Sequence, residues 1–442
     1  MIKNKGAEKK LFLGVAGNPV SASRSPEIFK EFFNLSGIEG SYIRVNINNA
    51  EKTVEIFKQL DFSAMNITAP FKTDIIQYID TLSLDAKGSG AVNLIVNDKG
   101  TIKGYNTDHI GVVNSLKASG VKLKGSSAVV LGTGGAARGA VYGLIRSGAQ
   151  VAISGRDEKK GEFFKKKFNV DFIGEKDLKE KTVDFDIVVN TIPVKWNYFN
   201  LSDMKDNSVF FNADYSENSE YTKNILEQKE ILFISGYKWL FYQAVPSFNI
   251  ISSHFFEKEI TIRDNDLIDR LILAGSGRNR RRVFFTGFSG SGKTTLGKRI
   301  AEKKGYDFID IDSLIEKKTD MKIRDIFIRY GENYFRDIET KTLFEIPKKD
   351  KILVSGGGGI VISEKNRKLM EKEFFTVWIY RDIKNIFDTT DDSVRPLAKG
   401  KSMTELRKLF NSRLKYYHSV SDILICNDYE DTDNQLFDLL NG

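Results

Sequence analysis

Apolar residues in this chain fall in short runs that alternate with stretches of helical spacing. Leu11-Phe12-Leu13-Gly14-Val15-Ala16-Gly17 reads as a buried strand running into Asn18-Pro19. Ser25-Pro26 then opens a helix through Phe33, with Ser25 as its expected N-cap. From Ser127 the alternation becomes regular. Ala128 to Leu131 is a buried strand, a helix follows to Ser147, and Gly148-Ala149 turns into a second strand from Gln150 to Ser154. Further strands are expected at Asp186 to Asn190 and Val209 to Asn212. Val283 to Thr286 reads as another, then an amphipathic helix from Leu296 to Lys304 and a strand from Tyr306 to Asp312. Alternating strands and helices predict an α/β chain with parallel sheets.

The pattern lapses once. Leu267 to Leu273 reads as a short helix, and Ala274-Gly275-Ser276-Gly277 with Arg278-Asn279-Arg280-Arg281-Arg282 as a flexible basic linker. Beyond it lies about one domain's worth of chain; before it, one or two.

Two glycine loops add chemistry. Gly287-Phe288-Ser289-Gly290-Ser291-Gly292-Lys293-Thr294 matches G-x-x-x-x-G-K-[ST], the P-loop, between a strand and a helix. Its backbone N–H groups and the helix N-terminus suit a phosphate; Lys293 can reach the β- and γ-phosphates and Thr294 can hold Mg²⁺. The ATP site is expected at Gly287, Gly290, Ser291, Gly292, Lys293, Thr294 and Thr295. The second loop, Gly132-Thr133-Gly134-Gly135-Ala136, fits G-x-G-x-x-A in a β-α-β unit, a dinucleotide fingerprint. An NAD site would want an acid at the end of the second strand. That end reads Ser154-Gly155-Arg156-Asp157, neutral at Ser154 with an arginine just beyond, which favours the 2′-phosphate of NADP. Asp157 pulls the other way, able to repel that phosphate or bond a free ribose hydroxyl.

Composition narrows the classes. With 442 residues, 41% hydrophobic, there is room for real cores, and no apolar run is long enough to span a membrane. Met1–Lys10 is polar and lysine-rich without a signal-peptide core, so a cytoplasmic setting is expected. One cysteine, Cys426, allows neither an intrachain disulfide nor a cysteine metal cluster, and three histidines make zinc an unpromising reading. The net charge of +8 is spread along the chain, which fits anionic small substrates better than nucleic acid.

The polar motifs before the second glycine loop sit at strand ends: Ser23-Arg24-Ser25-Pro26, Asn66 to Lys72, Gly90-Ala91-Val92-Asn93 and Asn106-Thr107-Asp108. Together they suggest a pocket that orients a hydroxylated ligand. With the glycine loop and Gly236 to Ala244, these motifs resemble shikimate dehydrogenase over residues 10–260. The resemblance implies Lys72 and Asp108 as the catalytic pair, with Ser23, Ser25, Asn66, Thr68, Asn93, Tyr215 and Gln243 holding substrate. It further implies an NADP site at Gly132, Thr133, Gly134, Gly135, Ala136, Ser154 and Arg156. The sequence departs from the family at Ala22, where a histidine is usual, at Trp239, where a methionine is usual, at Gly155-Arg156-Asp157, and at Val194-Lys195 after Asn190-Thr191-Ile192-Pro193.

After the P-loop come Asp310-Ile311-Asp312, Gly331 to Glu339, Ser355 to Gly359, Asp391 to Leu397 and Arg413 to Tyr417. With the P-loop these resemble shikimate kinase over residues 283–442. The resemblance implies that Asp312, Arg336, Gly357, Gly358 and Arg413 bind shikimate, that Asp312 orients or deprotonates the attacking hydroxyl, and that Thr294 and Asp310 serve Mg²⁺. It places Arg395 on a mobile lid, completing a catalytic set of Lys72, Asp108, Asp312, Lys293 and Arg395. Two arginines suit a carboxylate.

The domains expected are a substrate-binding domain at 1–110 completed by 237–265, a Rossmann-like NADP domain at 111–236, a linker at 266–282, and a P-loop kinase domain at 283–442. The function implied is a bifunctional enzyme that reduces 3-dehydroshikimate to shikimate with NADPH, then phosphorylates shikimate with MgATP. Two alternatives stand beside it: a quinate-type dehydrogenase fused to another small-molecule kinase, and a non-catalytic nucleotide-binding regulator.

Overall fold

Short apolar runs of the chain become strands, and the strands gather into two sheets. The structure, a computed structural model, describes residues 10–181, 184–192, 200–214, 220–257, 280–389, 402–428 and 432–440. The expected helix Leu267–Leu273 and nearly all of the linker lie outside the described residues.

The first strands are β1 (Leu11–Gly17), β2 (Gly40–Asn46), β3 (Ala64–Ile67), β4 (Thr81–Leu82), β5 (Leu94–Asp98) and β6 (Thr101–Tyr105), in the order β2-β1-β3-β5-β6-β4. β1 pairs in parallel with β2 and β3, while β5 runs antiparallel to β3 and β6. Helices Ser25–Ser36 and Gly236–Phe256 cover one face with Phe29, Phe32, Phe33 and Phe248, which pack on Leu11, Leu13 and Leu94. The helix expected through Phe33 thus runs one turn further, to an αL cap at Gly37.

The second sheet is β7 (Ser127–Leu131), β8 (Gln150–Gly155), β9 (Asp171–Gly174), β10 (Ile187–Asn190), β11 (Val209–Asn212) and β12 (Leu232–Ser235). Its order, β12-β11-β10-β7-β8-β9, is wholly parallel and doubly wound about β7.

The C-terminal strands are β13 (Arg282–Thr286), β14 (Asp307–Asp310), β15 (Ile352–Ser355), β16 (Phe375–Tyr380) and β17 (Ile423–Cys426), all parallel in the order β14-β15-β13-β16-β17. They do not form a sheet of their own. β17 pairs in parallel with β2, Ile423 opposite Arg44 and Ile425 opposite Asn46, so one sheet of 11 strands runs through both halves. One apolar cluster likewise crosses the join, bringing Ile43, Val45, Phe57 and Phe62 against Trp378, Tyr417 and Leu424. A flexible linker leaves the arrangement of the two halves open; among the described residues the halves cover each other's exposed sheet edges.

The expected strand to Asp312 ends at Asp310, which caps a helix Ile311–Thr319 by accepting from the Ser313 N–H. Asp312 therefore sits in a first helical turn, not in the strand.

Candidate functional sites

The first site forms where β3 and β6 end and β5 begins. Asp108, at the N-terminus of helix Asp108–Ala118, receives the Lys72 ammonium at 2.6 Å, and both are largely buried. The other carboxylate oxygen accepts from Asn93 Nδ2 at 3.2 Å, and the Asp108 N–H is taken up by Asn106 Oδ1. Asn93 in turn touches Gln243 Oε1 at 3.2 Å and Thr107 Oγ1 at 2.9 Å. Lys72, Asn93, Asp108 and Gln243, spread over the sequence, thus meet in one polar network. Asn66 is more committed to the frame: its Oδ1 accepts from the Tyr42 hydroxyl, and its Nδ2 donates to the Asn93 carbonyl and Ser247. The hydroxyls of Ser247 and Thr107 lie 2.9 Å apart; Ser247 is outside the motifs, and Thr107 falls within Asn106-Thr107-Asp108 without being given a role.

Ser23 and Ser25 lie on the loop after β1, with hydroxyls 3.3 Å apart. Ser25 is not the cap expected of it. Arg24 occupies the N-cap position, without a side-chain capping bond, and the Ser25 hydroxyl bonds Ser23 instead. Thr68 sits close to the end of β1: a Cβ on Gly17 would stand 2.3 Å from the Thr68 methyl. Tyr215 lies outside the described residues.

The glycine loop after β7 runs directly over this network. Gly132 holds φ +107°, a conformation glycine adopts without strain. A Cβ on Gly135 would meet Lys72 Cβ at 2.4 Å, and one on Gly139 would meet Asp108 Cβ at 2.7 Å. Gly134, Gly135 and Ala136 begin helix Gly135–Arg146, whose N-terminal amides suit a pyrophosphate. This cradle fits a dinucleotide beside Lys72. At the end of β8, Arg156 is 78% exposed with Glu175 at 3.8 Å, while Ser154 is fully buried. Gly155, still in the strand, backs against the Thr133 methyl. Asp157 caps helix Glu158–Phe168 by accepting from the Lys160 N–H at 3.1 Å. Trp239 packs on Phe211 in the core of the second sheet.

The second site is a cavity of about 900 Å³ between the P-loop and the helices beyond β14, lined by Lys293, Thr294, Thr295, Asp312, Arg336 and Arg413 among others. Gly287, Gly290 and Gly292 hold φ of +144°, +92° and +90°, and a Cβ on Gly287 would stand 2.2 Å from the Ile379 carbonyl. Ser291 is buried, and its carbonyl accepts from Asn427. Lys293 donates to the Phe288 carbonyl at 2.8 Å across the loop. The loop fits a nucleotide triphosphate. Thr294 Oγ1 donates to Asp310 Oδ2 at 2.7 Å, two oxygens of the kind Mg²⁺ takes.

Opposite the P-loop, Asp312 and Glu339 converge on Gly357: a Cβ there would be 3.0 Å from Asp312 Oδ1 and 3.2 Å from Glu339 Oε1. Both oxygens are buried without a hydrogen-bond partner among the described residues, so the pocket offers two acceptors to a hydroxylated ligand. Burial, reinforced by Asp310, pushes the Asp312 carboxyl up to about 6 against the pull of Lys293 and Arg336. Burial likewise pushes Glu339 up to about 7, although Arg336 pairs with it at 2.7 Å. Arg336 is aimed by a break at Gly331, whose φ of +81° restarts the helix that carries it. Arg413 Nη1 and the Tyr417 hydroxyl both hold the Gly358 carbonyl, at 3.1 and 2.6 Å. Glu339 and Tyr417 fell within motifs read from the sequence without being given roles; only burial marks them. Arg395 lies outside the described residues.

Comparison with known proteins finds a family for each half of the chain. A family profile described as shikimate kinase matches residues 289–441, and one described as shikimate dehydrogenase substrate binding domain matches residues 15–95. A shikimate kinase of Dictyoglomus turgidum is 39% identical over 166 residues, which cover 36% of this chain and 96% of that protein. A shikimate dehydrogenase (NADP(+)) of Aquifex aeolicus is 34% identical over 245 residues, 54% of this chain and 89% of that protein. The crystal structure of shikimate dehydrogenase from Aquifex aeolicus superposes with a TM-score of 0.54 at 29% identity, covering 61% of this chain and 99% of that one. The chain belongs to the shikimate dehydrogenase family in its N-terminal part and to the shikimate kinase family in its C-terminal part, and so carries two enzymes in one polypeptide.

Proposed function

We propose that this chain carries out consecutive reactions on one small molecule: reduction of 3-dehydroshikimate to shikimate with NADPH, then phosphorylation of shikimate at its 3-hydroxyl with MgATP. The observation that carries the reading is the presence, in one chain, of two polar sites whose families are named for the same compound. In this assignment residues 1–110 with 237–265 bind the ketone, 111–236 hold NADP, and 283–442 form the kinase. Both reactions use small molecules, in the cytoplasm.

Bound NADPH supplies a hydride and bound MgATP a phosphoryl group. At the first site the Lys72 ammonium, held at 2.6 Å by Asp108, stabilises the developing alkoxide and delivers its proton. Asn93 fixes Asp108 from behind, while Ser23, Ser25, Asn66, Thr68, Tyr215 and Gln243 orient the ring substituents. At the second site Asp312 accepts the proton of the 3-hydroxyl, Arg336 and Arg413 fork the carboxylate, and Thr294 and Asp310 serve the metal. Lys293 and Arg395 offset charge on the transferred group.

Separate substitutions test this. Lys72→Ala or Asp108→Asn lowers ketone reduction about a hundredfold or more and leaves phosphorylation near normal. Lys293→Ala does the reverse. Loss of both activities from one such substitution in a folded chain contradicts the assignment.

A further inference from the structure

Behind the serine loop of the dehydrogenase site, the groups that fix the backbone come in part from the kinase half. The loop runs from β1 to helix Ser25–Ser36, carries Ser23 and leads directly into Ser25, the first residue of that helix. Arg44 on β2 donates to the Ser23 carbonyl through Nε at 3.0 Å and Nη2 at 2.7 Å, and pairs with Glu27 at 2.9 Å. That arginine sits on the strand paired with β17, and its own N–H donates to the Asp422 carbonyl at 3.1 Å. Two residues before Ser23, the Ser21 carbonyl accepts from Arg280 Nη2 at 2.8 Å. Arg280 precedes β13, and its Nη1 donates to the Leu439 carbonyl, at the end of helix Thr432–Leu439, at 3.1 Å. Val20, in the same loop, is 2% exposed and packs in a cluster with Val283, Phe285, Ile423 and Leu436.

The loop is therefore seated on the kinase half by an apolar side chain and by one guanidinium that bridges two backbone carbonyls. A planar fork can span two acceptors at fixed angles, which a lysine cannot do. A serine hydroxyl points where its backbone points. The Ser23 N–H donates to the Val20 carbonyl at 3.0 Å, closing a turn around Ser21, and Ser23 Oγ bonds Ser25 Oγ. A shift of the backbone at Ser21 thus passes on to both hydroxyls.

We propose that the kinase half sets the geometry of the dehydrogenase's substrate serines, with Arg280 as a positioning residue for Ser23 and Ser25. This rests on the reading of those serines as substrate ligands. Arg280 touches neither reacting group; it acts through the Ser21 carbonyl.

The test uses the full chain and its Arg280→Ala and Arg280→Lys variants, with NADP-dependent oxidation of shikimate and MgATP-dependent phosphorylation of shikimate measured on the same samples. Losing a charge-assisted bond to a fixed group corresponds to roughly a tenfold change. The dehydrogenase KM for shikimate rises by about that factor in Arg280→Ala and by less in Arg280→Lys, while kcat, the KM for NADP and the kinase KM for shikimate stay within about twofold. An unchanged dehydrogenase KM in Arg280→Ala overturns the proposal. So does a parallel fall of both activities in both variants, which would make Arg280 a residue of the fold alone. If the unmodified chain oxidises no shikimate with NADP, the functional reading fails and the proposal falls with it. Normal turnover in the unmodified chain with unchanged KM in the variant strikes the proposal only.

Discussion

Asp312 and Glu339 each keep a buried oxygen without a partner among the described residues on either side of Gly357, and both hold protons more tightly than exposed carboxyls do. Asp312 must be ionised to take a proton, so phosphorylation is expected to rise with pH through about 6 and level off above it. Stability runs the opposite way. Between the ordinary carboxylate range and about 7 these two groups hold more protons in the folded chain than in the unfolded one, so their own contribution to stability falls as pH rises through that window. Glu339 is still largely protonated where that limb falls, and Arg336 is bonded to Glu332 as well, so Glu339→Gln should leave the acid limb of kcat in place. A pH–rate profile of the kinase reaction reads this directly, and a limb that moves in this variant contradicts the order of the two titrations.

Cofactor choice also belongs to single residues. Arg156 is exposed at the end of β8, where a 2′-phosphate can reach it, and Asp157 is occupied in capping the next helix. A charge-assisted bond is worth about 1.5–3 kcal/mol, so NADPH should be preferred to NADH by about tenfold to a hundredfold in kcat/KM. Arg156→Ala should erase most of that preference by raising the KM for NADPH. Equal kcat/KM for the two cofactors in the unmodified chain would contradict the role of Arg156.

At the scale of elements, the two glycine loops were legible because their conformations demand glycine. Gly287, with φ +144° and the Ile379 carbonyl where a Cβ would stand, leaves no room for another residue. Asp312 was harder to read. Asp310 and Asp312 have the same alternate spacing whether the second closes a strand or opens a helix, and only the capping bond from Ser313 separates the cases. The pairing of β17 with β2 had no local signal at all. Ile423-Leu424-Ile425-Cys426 reads as any buried strand, and nothing near it in the chain names its partner. The contact of the dinucleotide loop with Lys72 was equally invisible, since it depends on how two domains close. That contact makes a prediction: Gly135→Ala forces a methyl into the Lys72 Cβ, so it should lower ketone reduction about tenfold or more while phosphorylation is unchanged. Normal reduction by this variant would mean that the loop does not position the lysine.

Across the whole molecule, the two halves are built into each other. His418, on the kinase helix Met403–Val420, is buried with its ring stacked on Phe12 at 4.4 Å, edge-on to Phe62 at 4.7 Å and to Trp378 at 5.2 Å. Burial pushes its imidazole down to about 4, so the ring is neutral near pH 7 and its Nε2 donates to the Leu60 carbonyl at 2.8 Å. Gln59 and Tyr380, and Asn48 and Gln435, add polar bonds across the same join. The central claim is that both sites work on one compound in succession. Purified chain given 3-dehydroshikimate, NADPH and MgATP, with products resolved by mass, tests it most directly. The account predicts oxidation of NADPH, transient shikimate and accumulation of shikimate 3-phosphate; NADPH oxidation with no phosphorylated product, or no oxidation at all, would contradict it.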